Sequence, residues 1–204
     1  MKAKRLLLLI TIFSTVFAAS VYADSLWGSY EGYPIVKVKA NDSDVTIEGS
    51  SAPAFVINGS TVLPIRPIAD AMGAAIKWDS ATKTASLYKP NVHIITATKV
   101  SKDGKSIDGT FSKVTKGDTI SFAANVQVDN FKGGFTNFRI SVNDPFGEPV
   151  DSIDVPMGDA ADNFWFTASF KVKFAYAGNY VVKFCLPGDD GNYTPIATKT
   201  IISE

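Results

Sequence analysis

The residues after Val92 form a series of short β-type segments, and this regular spacing constrains the fold more than any other feature. Each segment is rich in β-branched and aromatic residues, and turn-forming residues such as Lys116-Gly117-Asp118 separate neighbouring segments. The seven predicted strands are Val92–Val100, Thr119–Val128, Asn137–Asn143, Pro149–Val155, Phe164–Val172, Asn179–Leu186 and Tyr193–Ile202. Because no helical pattern interrupts them, residues 91–204 are predicted to form an all-β antiparallel sandwich.

One local motif specifies the kind of sandwich. The stretch "AYAGNYVVKF" places Gly178 two residues before Tyr180, which is the approach to a tyrosine corner. A tyrosine corner is typical of immunoglobulin-like domains, in which the phenol oxygen bonds to the backbone a few residues upstream. The sequence therefore predicts an immunoglobulin-like fold for 91–204, although no Cys–Trp–Cys pattern accompanies it.

Residues from about 35 to 89 have a different pattern and predict a small α+β domain. Alternating runs flank the polar turn Asn41–Asp44, and a second pair flanks Asn58-Gly59, which favours a type I′ hairpin turn. Pro67 suits the first position of a short helix, and Gly73 suits a left-handed C-cap. The run "AAIKWDSATKTASLY" then predicts strand, turn and strand.

The first residues have the pattern of a secretory signal peptide. Three basic residues precede an apolar run from Leu6 to Ala19, and Val21-Tyr22-Ala23 supplies the small residues of a cleavage site. That run is shorter than the roughly 20 residues a membrane span requires. We therefore expect cleavage before Asp24, export, and no stable membrane insertion afterwards. The predicted organisation is a signal peptide (1–23), an α+β domain (24–90) and a β-sandwich domain (91–204).

The charge of the chain argues against one class of protein, and its cysteine content indicates its origin. After signal cleavage, 17 Lys and Arg face 20 Asp and Glu, so the mature chain is slightly acidic. This charge lacks the basic footprint of a nucleic-acid-binding protein. The single cysteine, Cys185, cannot form an internal disulfide, which in an exported chain suggests a bacterial origin.

Residues 25–88 contain the stretches "WGSYEGYPIVKV", "PAFVINGSTVLPIRPIADAMGAAIKWD" and "TKTASLY". By these stretches the segment resembles the copper amine oxidase N-terminal-like domain, also called a stalk domain. Two positions depart from the family pattern: Ser60, where Arg is frequent, and the Asn41–Asp44 turn, where Gly is usual. In copper amine oxidases this domain is remote from the catalytic copper. The resemblance implies an exported protein that faces the envelope of a Gram-positive bacterium, and it implies no oxidase.

The residues available for metal or catalytic chemistry are few. A copper site built on imidazoles needs several histidines, and the chain has only His93. We interpret His93 as a surface or joint residue and Cys185 as a small strand residue, so no catalytic residue and no cofactor are predicted. Carboxylates in turns more often cap backbone N–H groups than bind cations. The weak calcium candidates are Asp159, Asp162, Asp189 and Asp190.

Aromatic residues are the best candidates for a binding surface. Trp27, Tyr30 and Tyr33 precede the first strand, and they either stack on a sugar or close over the stalk sheet as a lid. In Phe164-Trp165-Phe166, alternation sends either Trp165 or the two phenylalanines outward. Two further rings, Phe131 and Phe135, flank a Gly-Gly pair and are candidates for the same patch.

These features together predict an exported, non-enzymatic protein used for binding or adhesion at the cell envelope. The stalk-like module would act as a spacer or docking unit, and the sandwich would carry the surface for a partner. The expected partner is a cell-wall glycan or another envelope protein. The alternative is an accessory or inhibitor subunit of a secreted enzyme, and a hydrolase has no motif in its favour.

Overall fold

The computed structural model describes residues 26–47, 52–104, 106–158, 162–189 and 191–204. Within these residues the protein is mostly β, with antiparallel sheets and one short helix. That helix is neither long nor apolar enough to cross a bilayer. The predicted signal peptide, 1–23, lies outside the described residues. Contacts divide the chain into two compact units, Met1–Pro64 and Ile65–Glu204, whereas the boundary near residue 90 stays a prediction.

In its described residues, the first unit contains three two-stranded antiparallel hairpins. Their strands are β1 Ser29–Tyr30 and β2 Tyr33–Pro34, β3 Lys39–Ala40 and β4 Ser43–Asp44, and β5 Phe55–Ile57 and β6 Ser60–Val62. Asn58 and Gly59 both have positive φ, 49° and 76°, as the predicted type I′ turn requires. Asn41 and Asp42, between β3 and β4, also have positive φ. The turn therefore consists of these two residues, rather than of the four predicted, Asn41–Asp44.

The second unit begins with one helix and one hairpin. These are α1 Ile65–Ala71, β7 Ala75–Asp79 and β8 Thr84–Tyr88. The predicted C-cap at Gly73 is confirmed: its φ is 64°, and the N–H of Ala74 donates to Ala69 O over 2.8 Å. The predicted helix start is wrong by two residues, because Pro67 is the third helical residue. Pro is tolerated there because the first four N–H groups of a helix have no helical partner.

The remaining nine described strands form two sheets. They are β9 Asn91–Val100, β10 Ile107–Thr110, β11 Lys113–Val114, β12 Thr119–Asp129, β13 Asn137–Asn143, β14 Pro149–Pro156, β15 Phe164–Lys173, β16 Gly178–Pro187 and β17 Tyr193–Ser203. One sheet has the order β10-β9-β12-β15, and the other has the order β11-β17-β16-β13-β14. All pairs are antiparallel except β11–β17. The seven predicted strands are confirmed to within one residue at each end, whereas β10 and β11 were not predicted.

Both sheets contribute to one hydrophobic core. Phe138 of β13 contacts the rings of Phe164 and Phe166 of β15, with centroids 5.6 and 5.4 Å away, and that of Phe184 of β16 at 5.0 Å. These four rings therefore join the inner faces of the two sheets. At the other end of the core, the buried Tyr180 accepts a hydrogen bond at its Oη from the N–H of Tyr176, 3.1 Å away. This is the bond expected of a tyrosine corner.

Candidate functional site

Trp165 is the most exposed aromatic side chain on the two larger sheets outside their turns. Alternation along β15 sends Phe164 and Phe166 into the core, where both contact Phe138, so Trp165 must point away from it. The indole is 57% exposed. Of the two arrangements that the sequence left open, the one with Trp165 outward is correct, because the stacked phenylalanines fill the space between the sheets.

Strand register places polar residues beside this indole. Gln127 of β12 pairs with Trp165 on one side and with His93 of β9 on the other. In the next row of the same face, Asn125 lies between Thr167 and Ile95. Since neighbouring strands lie about 4.8 Å apart, each row spans roughly 10 Å. We call this surface the Trp165 face, and it consists of His93, Ile95, Asn125, Gln127, Trp165 and Thr167.

Hydrogen bonds hold the polar groups of the Trp165 face in place. The Gln127 amide donates from Nε2 to Oδ2 of Asp129, 3.2 Å away. The buried Asn125 amide donates from Nδ2 to Oγ1 of Thr167 over 2.9 Å. Thr167 accepts this bond, so its own O–H can donate outward. The Asn125 Oδ1 has no partner among the described residues, which leaves a polar floor beneath the face.

A hollow continues from the Trp165 face along the same sheet surface. Its volume is about 290 Å³, and Thr167 lies at the end nearest Trp165. The other outward-facing residues that line it are small or hydroxylated, together with one lysine: Lys99, Ser121, Ala123 and Ser169. The small side chains keep the floor low, so a ligand stacked on Trp165 can extend into the hollow.

This arrangement suits a polar ligand with an apolar face. The indole offers a flat apolar surface, and Gln127 and Thr167 offer hydrogen bonds at its side. Around the indole, the two rows carry amides, a hydroxyl, one imidazole and one aliphatic side chain rather than paired charges. Such a surface favours a neutral, hydroxyl-rich ligand over a polyanion.

The N-terminal aromatics have a different environment. Tyr30 and Tyr33 both contact the ring of Phe55, with centroids 5.6 and 5.8 Å away, so they cover that strand as a lid would. Trp27 is 56% exposed, and the ammonium group of Lys37 lies 5.5 Å from its ring centroid. Within the first unit, therefore, Trp27 exposes more than half of its side chain beside Lys37, whereas the two tyrosines contact Phe55.

Phe131 and Phe135 do not contribute to an exposed patch, which corrects the expectation from the sequence. They are only 6% and 5% exposed and belong to the main core. Phe131 contacts Phe164 at 5.4 Å, and Phe135 meets Tyr88 edge to face at 5.7 Å. The Gly-Gly pair between them suggested a surface loop, but the loop folds its two rings inward.

The calcium candidates that the structure describes already have protein partners. The Asp162 carboxylate forms an ion pair with Lys132, and Oδ2 of Asp189 accepts a hydrogen bond from the N–H of Trp78 over 2.7 Å. Asp159 and Asp190 lie outside the described residues. Among the described residues, no group of three or more His, Cys, Asp and Glu side chains has the geometry to hold a metal ion.

The two residues considered as a thiol–imidazole pair lie on different sheets. His93 is exposed on β9, as expected of a surface residue. Cys185 is buried on β16, and burial raises the pKa of its thiol to about 11. Lys183 and Arg139 oppose this shift, but the loss of hydration is the larger effect. This burial agrees with the interpretation of Cys185 as a small strand residue.

Sequence reasoning identified Trp165 but missed its neighbours. Gln127, Asn125 and Thr167 occupy polar positions of alternating strands, a pattern that occurs on any sheet with a solvent-facing side. Only the pairing of β12 with β9 and β15 brings them together. Counting alternate positions outward from Trp165 would have found Thr167, whereas Gln127 and Asn125 required the register.

Comparison with known proteins adds one finding about the chain. Residues 39–108 match the family model described as copper amine oxidase N-terminal domain, which is a non-catalytic, stalk-like module. The predicted segment was about 25–89, so the match begins later in the chain than predicted and extends further, into β10. No curated protein matches the chain. The match at 39–108 confirms that the chain contains a copper amine oxidase N-terminal-like domain.

Proposed function

We propose that the protein is an exported, non-enzymatic component of the envelope of a Gram-positive bacterium, and that it binds a neutral cell-wall glycan through the Trp165 face. The exposed indole beside Gln127 and Thr167 is the observation that carries this proposal. Apolar sugar faces stack on aromatic rings, and amide and hydroxyl groups at the ring edge bond to sugar hydroxyls. The N-terminal pattern supports export, and the stalk-like match supports a spacer beside the binding module.

The binding module is proposed to be an immunoglobulin-like sandwich. Of the seven long strands, the first, second and fifth (β9, β12 and β15) share one sheet. The third, fourth, sixth and seventh (β13, β14, β16 and β17) share the other. In the constant-type immunoglobulin fold the fourth strand shares a sheet with the first, second and fifth, whereas here the fourth strand, β14, lies in the other sheet. The remaining partition and the Tyr180 corner support an immunoglobulin-like sandwich. Proton NMR tests it: cross-strand contacts are expected between Arg139 and Cys185 and between Lys113 and Ile202. If no contact between Lys113 and Ile202 is observed, β11 does not pair with β17, and the sheet has a different topology.

Co-sedimentation with purified sacculi tests the proposed function. The mature chain, 24–204, is mixed with sacculi at low and at high salt. Because the chain is slightly acidic and the Trp165 face has no cluster of charges, retention is expected to survive high salt. Retention that disappears with salt, or no retention at either concentration, would overturn binding to a neutral glycan.

A second candidate, an accessory or inhibitor subunit of a secreted enzyme, is favoured by a different surface. Four large apolar side chains on α1, directly after it and on the β7–β8 hairpin are about half exposed: Ile65, Met72, Trp78 and Leu87. Exposed apolar surface of this kind is typical of a protein interface. Substitution of Trp78 by alanine should then abolish association with an enzyme while leaving sedimentation with sacculi unchanged.

A further inference from the structure

The outer side of the five-stranded sheet contains a second hollow, on the opposite sheet from the Trp165 face. Its volume is about 230 Å³. Strand register brings two rows of side chains to its floor, in which Arg139 pairs with Cys185 and Ser141 pairs with Lys183. Polar residues, two prolines and one aromatic ring line it: Arg139, Ser141, Asn143, Pro149, Ser152, Lys183, Cys185, Tyr193 and Pro195.

Arg139 is held rigidly at one end of this hollow. Its Nε and Nη2 atoms donate to the two carboxylate oxygens of Asp154, over 2.6 and 2.8 Å. This pair lowers the pKa of the Asp154 carboxyl and raises that of the guanidinium, mainly through the shared hydrogen bonds. The guanidinium also lies 4.0 Å from the ring centroid of Tyr193. Both carboxylate oxygens of Asp154 are thereby engaged by Arg139.

Lys183 provides a second cation. Its side chain is partly buried in the row next to Arg139, and it forms no ion pair with any residue that the structure describes. The residues that pair with it are neutral hydroxyls, Ser141 on β13 and Thr198 on β17, and the buried Cys185 thiol on its own strand stays protonated at neutral pH. A half-buried ammonium without a counter-charge attracts an anion, because burial strengthens the electrostatic interaction.

We propose that this hollow binds a small oxyanion, either a carboxylate or a phosphoryl group, through Lys183 and Ser152. The ammonium supplies charge. The Ser152 hydroxyl lies in the same row, one strand beyond Ser141, and supplies a hydrogen-bond donor. The Ser141 hydroxyl already donates to Oδ1 of Asn143 over 2.9 Å and so forms part of the wall. The hollow is smaller than the roughly 300–1,000 Å³ of drug-sized sites, so it fits a single anionic group rather than a large ligand.

NMR titration of the full mature chain tests this inference with two probes. Sodium acetate represents the carboxylate source and sodium phosphate represents the phosphoryl source, each at constant ionic strength maintained with sodium chloride. The amides of Ser141, Ser152 and Lys183 should shift with a saturable dependence on one or both probes, and the probe that binds more tightly identifies the source. Shifts that do not saturate, or that spread evenly over surface lysines, would show an adventitious ion only and overturn the proposal.

Matched variants distinguish anion binding in this hollow from the non-specific attraction of anions to surface lysines. Lys183→Gln replaces the ammonium with a neutral amide on a side chain one bond shorter, and it should weaken binding at least about tenfold because a charged hydrogen bond is lost. Ser152→Ala removes only the neutral donor and should weaken binding by a smaller factor. Lys171→Gln, on the exposed side of β15, should leave it unchanged. Equal losses in Lys183→Gln and Lys171→Gln would contradict a built site, and the unchanged remainder of each spectrum verifies the fold.

Discussion

The Cys185 thiol is the most strongly perturbed ionisable group that the structure describes. It lies on β16 beneath the second hollow, and burial raises its pKa from an ordinary value near 9 to about 11. At pH 8 the thiolate fraction of the folded protein is therefore roughly a hundredfold lower than that of the unfolded chain. Iodoacetamide should alkylate the folded protein at least that much more slowly than it alkylates the protein in urea.

The pH dependence of this reaction gives a second readout of the same environment. Because the thiolate is the reactive form, the alkylation rate of the folded protein should keep rising through pH 9 and level off only near pH 11. Unfolded protein should level off near pH 9. A rate plateau near pH 9 in the folded state would contradict the burial of Cys185.

The hydroxyl of Tyr180 stabilises the end of the core through one hydrogen bond, which it accepts from the N–H of Tyr176. Tyr180→Phe keeps the ring but leaves that partly buried N–H without its acceptor. The free energy of unfolding should fall by about 1 kcal/mol, as measured by urea denaturation. Tyr176→Phe is the matched control, because its half-exposed ring contacts Phe146 and should retain that contact. Equal effects of the two substitutions would argue against the corner.

Residue patterns predicted some positions of the site and left others undetermined. Alternation in Phe164-Trp165-Phe166 required two opposite faces but did not decide which face was buried. The decision comes from packing, since Phe138 stacks on Phe164 and meets Phe166 edge to face. The same limit explains Phe131 and Phe135, whose inward orientation depends on Tyr88 and Phe164, contacts that are distant in sequence.

At the level of elements, local signals predicted all seven long strands and both tight turns. Asn58-Gly59 determines its own backbone conformation, because both residues accept the positive φ that a type I′ turn needs. Strands β1 and β2 were missed, since Tyr30 and Tyr33 lie in them rather than before the first strand, and each has only two residues. The other two missed strands, β10 and β11, are also short and have no clear alternation. The second of them pairs in parallel with β17, about 90 residues away in sequence, so no local pattern reports it.

The C-cap of α1 should be intolerant of any side chain. Gly73 has positive φ, and an added Cβ would lie 2.6 Å from the carbonyl oxygen of Ile196 on β17. Gly73→Ala should therefore cost both backbone strain and a displacement of β17, at least about 2 kcal/mol beyond strain alone. Gly59→Ala is the control, since its φ is also positive but nothing lies within 4 Å of the added carbon. Similar unfolding free energies for the two variants would contradict this contact.

At the level of the whole molecule, α1 and the β7–β8 hairpin belong to the same compact unit as the two larger sheets. Ala75 joins the main core, and the Lys77 ammonium donates to the carbonyl oxygen of Gly133 over 2.5 Å. Lys77 also lies 4.3 Å from the ring centroid of Phe135. These partners are more than 50 residues apart in sequence, so sequence patterns placed a domain boundary at residue 90 without any sign of these contacts.

Removal of the helix and hairpin should therefore destabilise the sheets. A fragment of residues 91–204 would expose the core around Phe135, which Tyr88 covers in the intact chain. Its melting temperature should be at least about 5 °C below that of residues 65–204, because the lost burial exceeds 1 kcal/mol. Equal melting temperatures would mean that the contacts of residues 65–90 do not stabilise the sheets. Calorimetry of the two fragments decides between these outcomes.

The proposed glycan binding depends most directly on the indole of Trp165. Soluble glycan released from purified sacculi is titrated into the mature chain, into Trp165→Ala and into Trp78→Ala, with affinity measured by isothermal titration calorimetry. Both indoles are about half exposed, so the pair controls for the loss of a surface tryptophan. Trp165→Ala should weaken binding roughly thirtyfold, or about 2 kcal/mol, whereas Trp78→Ala should change it less than about twofold. An unchanged affinity in Trp165→Ala would contradict the proposed site.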